Sequence, residues 1–216
     1  PWYESPGTQE HALCALNQAG TSFVPQDQSL RACFDQYCYT LWMDDLKLSG
    51  ARLYTNAGAG LNLFVSDDKA ASWRVLLGQF DSMTCYHQSF HIVGTRLLVG
   101  GECPLDDAFI RAYQLSADGS RLESQAELPV NVPELENRNI QFIDSIDGTQ
   151  RVFAGVEGGL LRSDDGGRSF KFVIRHPIEG GSMYPYVQGF LSLKNKPDVL
   201  VVGGFDKANA RPYLAW

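Results

Sequence analysis

The chain has 216 residues and a formal charge of −7, so it can bury one large core in a single all-β domain. It is poorly suited to nucleic acid, which needs clustered Lys and Arg to displace counterions, and here the basic residues are scattered. No apolar run approaches the roughly 20 residues of a membrane span. The opening PWYESPGTQE has no charged-then-apolar signal pattern, and a chain that begins without Met reads as a mature or trimmed product.

In chain order, EHALCALNQAGTSFV (10–24) reads as two strands around a turn, with Cys14 buried in its apolar half. Cys33 and Cys38 stand beside a strand-like run. YTLWMDDLKLSGARLYTNAG (39–58) then supplies two strands joined at Ser49-Gly50, and LFVSDDKAASWRVL (63–76) supplies two more around an Asp-rich turn. YHQSFHIVGTRLLVGG (86–101) is another strand pair, joined at Gly94-Thr95 and flanked by Cys85 and Cys103. YQLSADGS (113–120) follows, with Ser116, Asp118 and Gly119 placed as in the earlier turn but with no aromatic after them. IQFIDSIDGTQRVFAG (140–155) pairs at Asp147-Gly148, LLRSDDGGRSFKFV (160–173) repeats the Asp-rich turn, and VQGFLSLKNKPDVLVVGG (187–204) pairs around Asn195 to Pro197. ARPYLAW (210–216) reads as one last strand. No segment reads as a helix.

The turns at Ser66 and Ser163 are 97 residues apart, with a weaker copy at Ser116 between them and a decayed one near residue 16. Four antiparallel strands in a unit of about 40 to 50 residues is the arithmetic of a β-propeller blade. The expected fold is therefore an all-β propeller of four-stranded antiparallel blades, about four of them visible, in one domain over 1–216. Both ends fall within a blade. Either residues 10–24 complete the sheet of 186–204 and close the ring, or the chain is part of a larger propeller, and the second is favoured.

SDDGGRSF and SDDKAASW resemble the Asp-box, Ser-x-Asp-x-Gly-x-Ser/Thr-aromatic, of sialidase-like propellers, also called BNR repeats. Ser163, Asp165, Gly167, Ser169 and Phe170 match it in full, whereas Ser66, Asp68 and Trp73 match with Ala70 in the glycine place. The resemblance implies a structural role: the carboxylate accepts hydrogen bonds from turn N–H groups, glycine permits positive φ and the aromatic packs between sheets. Asp-boxes occur in sialidases, xyloglucan hydrolases, sortilin-type receptors and photosystem assembly factors, so the motif speaks to fold more than to function.

A ligand is then expected on the opposite, loop-bearing face. The candidate ligand-binding residues are Arg138, Tyr184, Tyr186, Arg211 and Asp106. A sialidase needs three arginines converging on a carboxylate, and the third is missing, because Arg74, Arg162 and Arg168 neighbour the Asp-rich turns. Asp106, Asp107, Glu134, Glu136, Glu157 and Asp206 leave a two-carboxylate glycosidase open. His87 and His91, four apart in a strand and so about 13 Å apart, cannot share a zinc ion. No metal or cofactor is expected. Each of the pairs Cys33–Cys38 and Cys85–Cys103 can stay as thiols or close a local disulfide; two disulfides are the expectation, with a secreted or periplasmic location. The leading reading is a non-catalytic propeller binding a protein or glycan, with no nucleic acid, no membrane span and the rest of a larger chain as a further partner. A glycoside hydrolase, sialidase-like or xyloglucanase-like, is the alternative.

Overall fold

A computed structural model describes residues 14–16, 18, 19, 21–25, 32–34, 37–39, 43–57, 62–78, 85–103, 108–135, 139–146, 149–175, 186–193, 196–206 and 211–215. For 14–16, 23–25, 32–34, 37–39, 43, 44, 57, 86, 186–193, 196–206 and 211–215, other than two glycines, what is described is backbone. Every regular element among these residues is a strand. The strands are β1 (Cys14–Leu16), β2 (Phe23–Pro25), β3 (Ala32–Phe34), β4 (Tyr37–Tyr39), β5 (Met43–Ser49), β6 (Arg52–Ala57), β7 (Asn62–Ser66), β8 (Arg74–Leu77), β9 (Tyr86–Val93), β10 (Arg96–Glu102), β11 (Phe109–Gln114), β12 (Ile140–Ser145), β13 (Val152–Val156), β14 (Gly159–Ser163), β15 (Lys171–Arg175), β16 (Tyr186–Leu193), β17 (Lys196–Asp206) and β18 (Arg211–Ala215).

Consecutive strands pair antiparallel into successive sheets. Two sheets have four strands in chain order, β5 to β8 and β12 to β15; two have three, β9 to β11 and β16 to β18. β1–β2 and β3–β4 are separate hairpins. The first strands follow one another around an axis, β9 packing on both β5 and β12, and β12 on β16. This is the blade arrangement of a β-propeller.

One feature differs from the expected pattern, for a physical reason. The β9–β11 sheet lacks a regular fourth strand: after Ser116 the chain returns to it only through isolated bridges, Leu115 to Leu122 and Ala112 to Leu128. The Ser116 turn is two residues shorter than its counterparts, with Ser120 standing four after its serine where Ser72 and Ser169 stand six after theirs, and it has no aromatic to anchor a strand. Among the described strands β1 and β2 pair with each other and do not join β16–β18, so these two strands do not complete the last sheet.

The cores lie between sheets. Alternation puts Tyr54, Leu63 and Val65 on one face of β5–β8, where they meet Phe90, Leu97, Val99 and Tyr113. The other faces of β9–β11 and β12–β15 meet through Leu98, Ala112, Ile140, Ile143, Ala154, Leu161 and Phe170. The turns reach into these cores. Gly167 has φ of 80°, and a Cβ there would lie 2.4 Å from Leu98 Cδ1, with Leu98 fully buried. At the matching place Ala70 occupies φ of 72°, a region that costs an L-residue about 1 kcal/mol or more. Gly167→Ala adds that cost and an overpacked contact, so a loss of about 2 kcal/mol is expected in urea unfolding. Ala70→Gly should cost little, and equal losses at both sites would contradict the packing argument.

Candidate functional site

The Asp-rich turns are built alike. Ser163 Oγ donates to Asp165 Oδ1 (2.7 Å) and accepts the Gly167 N–H (2.8 Å). Asp165 Oδ1 also accepts the N–H groups of Arg168 and Ser169 (3.0 and 2.9 Å), and Oδ2 accepts the Ser169 hydroxyl (2.6 Å). In the first turn Ser66 Oγ donates to Asp68 Oδ1 (2.8 Å), the Ala70 N–H donates to Ser66 Oγ (2.9 Å), and Ser72 engages Asp68 through N–H and hydroxyl (2.8 and 2.5 Å). The short turn keeps the same logic, with Ser116 and Ser120 around Asp118 (2.6 and 2.9 Å). The aromatics following the two full turns, Trp73 and Phe170, are buried.

These carboxylates are spoken for. Burial raises the Asp165 carboxyl, but the bonds from Ser169, Ser163 and Arg168 outweigh it and hold the group well below the usual range. The Ser72 hydroxyl and N–H, with Ser66, do the same for Asp68, and Ser116 and Ser120 for Asp118. Asp165→Ala strands turn donors that water reaches in part, so a loss of about 1 to 2 kcal/mol is expected, with ligand binding unchanged. Loss of binding at an unchanged unfolding midpoint would give Asp165 a functional role.

The residue before each of these aspartates is also consumed. Asp67 pairs with Arg52 and with Arg74 (2.9 Å to Arg74), and Asp164 with Arg162 (2.6 Å), Arg151 (3.4 Å) and Lys171 (3.8 Å). Arg52 and Arg151 are repeat equivalents, each one residue before the partner of a turn serine, Leu53 opposite Ser66 and Val152 opposite Ser163. Arg52 and Arg74 also donate to Asp118 O and Ser120 O, tying the first full sheet to the next turn. The Arg168 guanidinium donates to Asp165 O (2.7 Å). Arg74, Arg162 and Arg168 are therefore turn ligands.

The turns between first and second strands share this end, so the links β6–β7, β10–β11 and β13–β14, and those between sheets, emerge at the other. Of the residues expected to bind there, Arg138, Tyr184 and Asp106 lie outside the described residues, as do Asp107 and Glu136. Tyr186 and Arg211 open β16 and β18, opposite Phe205 and Asp206, so the backbone brings them to one end of one sheet with β17 between them. Glu134 is exposed. Glu157, in the β13–β14 turn, accompanies a residue that sequence reasoning missed, Glu102 at the end of β10. Burial and then Glu157 raise the Glu102 carboxyl, against a hydrogen bond from Asn139. At the same end Cys85 and Cys103 form a disulfide, one step beyond the Tyr86–Glu102 rung. Cys33 and Cys38 are directly opposed in β3 and β4, with only their backbone described; Cys14 likewise has only its backbone described.

A second unforeseen constellation joins the first strands of three successive sheets. Lys47, His91 and Asp144 sit one or two residues before the ends of β5, β9 and β12. Lys47 Nζ donates to Ile143 O (2.7 Å) and lies 3.3 Å from Asp45 and 4.0 Å from Asp144. His91 Nδ1 is 3.3 Å from Asp144 Oδ1, and Nε2 is 2.8 Å from Ser145 Oγ. Aligning the turns Ser49-Gly50, Gly94-Thr95 and Asp147-Gly148 would have exposed this correspondence. His87 is fully buried, edge-on to Phe109 at 6.4 Å, and among the described residues no cluster of His, Cys, Asp and Glu could hold a metal ion.

No family model matches the chain, and no curated protein matches it in sequence. Solved structures do. A chain in the crystal structure of the mitotic checkpoint complex is 11% identical with a TM-score of 0.54, over 91% of this chain and 55% of that one. The structure of YCF48 bound to D1 peptide is 14% identical with a TM-score of 0.49, over 75% and 48%. The GH74 xyloglucanase from Xanthomonas campestris is 14% identical with a TM-score of 0.46, over 76% and 27%. The fold is a β-propeller. The chain spans about half or less of the length of these structures.

Proposed function

We propose that this chain is a non-catalytic Asp-box β-propeller, as one domain over 1–216 or as part of a larger propeller, that binds a protein or glycan through the loop-bearing end. The observation that carries the reading is the saturation of the turn carboxylates. Asp68, Asp118 and Asp165 are filled by their own turns, which fits a structural Asp-box formed by Ser66, Asp68, Trp73, Ser163, Asp165, Gly167 and Phe170 and leaves recognition to the opposite end. Arg138, Tyr184, Tyr186, Arg211 and Asp106 are the residues proposed to meet the ligand: guanidinium forks suit carboxylates and tyrosine faces suit sugars or apolar side chains.

The Cys85–Cys103 disulfide supports a secreted or periplasmic location. Mass spectrometry of unreduced, alkylated protein should find that bridge, and Cys33–Cys38 with it. Five free thiols would remove the argument for location.

The alternative, a glycoside hydrolase, is favoured by Glu102 beside Glu157, since a carboxyl raised by burial and by a like charge has the character of a general acid. A glycan panel assayed for binding and for hydrolysis separates the two. Binding that is weakened tenfold or more by Arg138→Ala or Arg211→Ala, without turnover, supports the first. Turnover abolished by Glu102→Gln would replace it with the second.

A further inference from the structure

We propose that Lys47, His91 and Asp144 form a proton-operated latch between three successive sheets, closed while His91 is neutral and released from β5 when His91 takes a proton. Each residue comes from the first strand of a different sheet, and together they join β5 to β12 across β9. With His91 neutral, Lys47 reaches past it to donate to Ile143 O and to share Asp144. A proton on His91 makes both ring nitrogens donors, places a second cation beside Lys47 and turns Asp144 into the imidazolium's counter-ion. Asp144 then binds β9 to β12, and Lys47 withdraws to Asp45 on its own strand.

The other groups around His91 fit this account. β5 presents Asp45 and Lys47, and β12 presents Asp144 and Ser145. From β6, Asn56 donates to His87 O (3.0 Å), and on β10 Arg96 is engaged with Pro129 O. Lys47 is 17% exposed and His91 13%, so their repulsion is poorly screened, whereas Asp144 at 54% has room to reorient. Burial, then Lys47, against Asp144, hold His91 down to about 4, which keeps the latch closed at neutral pH.

Hydrogen exchange of the whole chain tests the idea. Between pH 7.0 and 4.5, after correction for intrinsic rates, amides of 43–49 should lose at least ten times more protection than those of 152–163. In His91→Gln, which keeps a group able to bond Ser145, that difference should vanish. A fall that persists in His91→Gln, or no selective fall in the natural chain, overturns the proposal. Asp45 also titrates upward of its usual range, burial being the first cause, so Asp45→Asn must keep the selective fall; its loss there would assign the effect to Asp45 instead. Should His91→Gln not fold, Lys47→Met decides: protection of 43–49 should already be low at pH 7.0 and insensitive to pH, and a natural-like pH response in that variant overturns the latch.

Discussion

Phe170→Ala is expected to lower the unfolding free energy by about 3 to 5 kcal/mol, the range for deleting a buried phenylalanine ring. The ring closes the third Asp-rich turn and lies in the core shared by β9–β11 and β12–β15, with Leu98, Leu135, Ile140 and Leu161. Its backbone N–H donates to Asn131 O (2.8 Å), and Ser169 bridges Asn131 in parallel, so the turn also pins the segment that follows the short Ser116 turn. Collapse of the cavity is hindered because the neighbours belong to two sheets held by separate ladders. Urea unfolding read by fluorescence and far-UV dichroism checks it. A loss under 1 kcal/mol would mean the ring is not a core element.

Acid should destabilise the fold well above the pH at which carboxylates titrate. Burial, then Arg111, hold the His87 imidazole down to about 4, and His91 is held to a similar value. Both are then neutral when folded, while the unfolded chain protonates near 6.5. As pH falls from 6.5 toward 4 the unfolded state binds up to two protons that the folded state refuses, so stability falls by at most about 2.7 kcal/mol per pH unit. Asp45 and Glu102, whose carboxyls are raised, work the other way and offset part of the loss. Below that window the depressed carboxyls of Asp67, Asp118, Asp164 and Asp165 continue the decline, because they must be protonated against their turn bonds and ion pairs. Unfolding midpoints at pH 7.0, 5.5 and 4.5 should drop steadily, and His91→Gln should remove about half the slope. Midpoints that stay level across this range would show that neither imidazole is buried neutral.

Whatever repeats in a local pattern is legible in the amino-acid sequence alone. Alternating apolar runs, turn dipeptides and the spacing of Ser66, Ser116 and Ser163 determine sheet after sheet of antiparallel strands, because strand pairing through short turns is a neighbour-to-neighbour property. The Asp-rich turns can be read almost atom by atom, since the Asp165 carboxylate bonds to Ser163, Arg168 and Ser169, all within four positions of itself. The Cys85–Cys103 bridge belongs with them: it extends a ladder whose two strands are adjacent in the chain.

Tertiary structure decided what lies between sheets. Nothing local distinguishes Lys47, His91 and Asp144 from other polar strand residues, yet three sheets packed around one axis bring them to within hydrogen-bond or ion-pair reach. Asp67 and Asp164 have the look of solvated neighbours of the structural aspartates, and became the seats of Arg52 with Arg74 and of Arg151 with Lys171 once strand register placed those cations. That β1 and β2 pair with each other and not with β16–β18 likewise depends on how strand edges meet in space. The two-residue period of the pleat sets a side chain's phase along its own strand, but which neighbouring strand it faces is set by the packing of whole sheets, a long-range outcome that no short window contains.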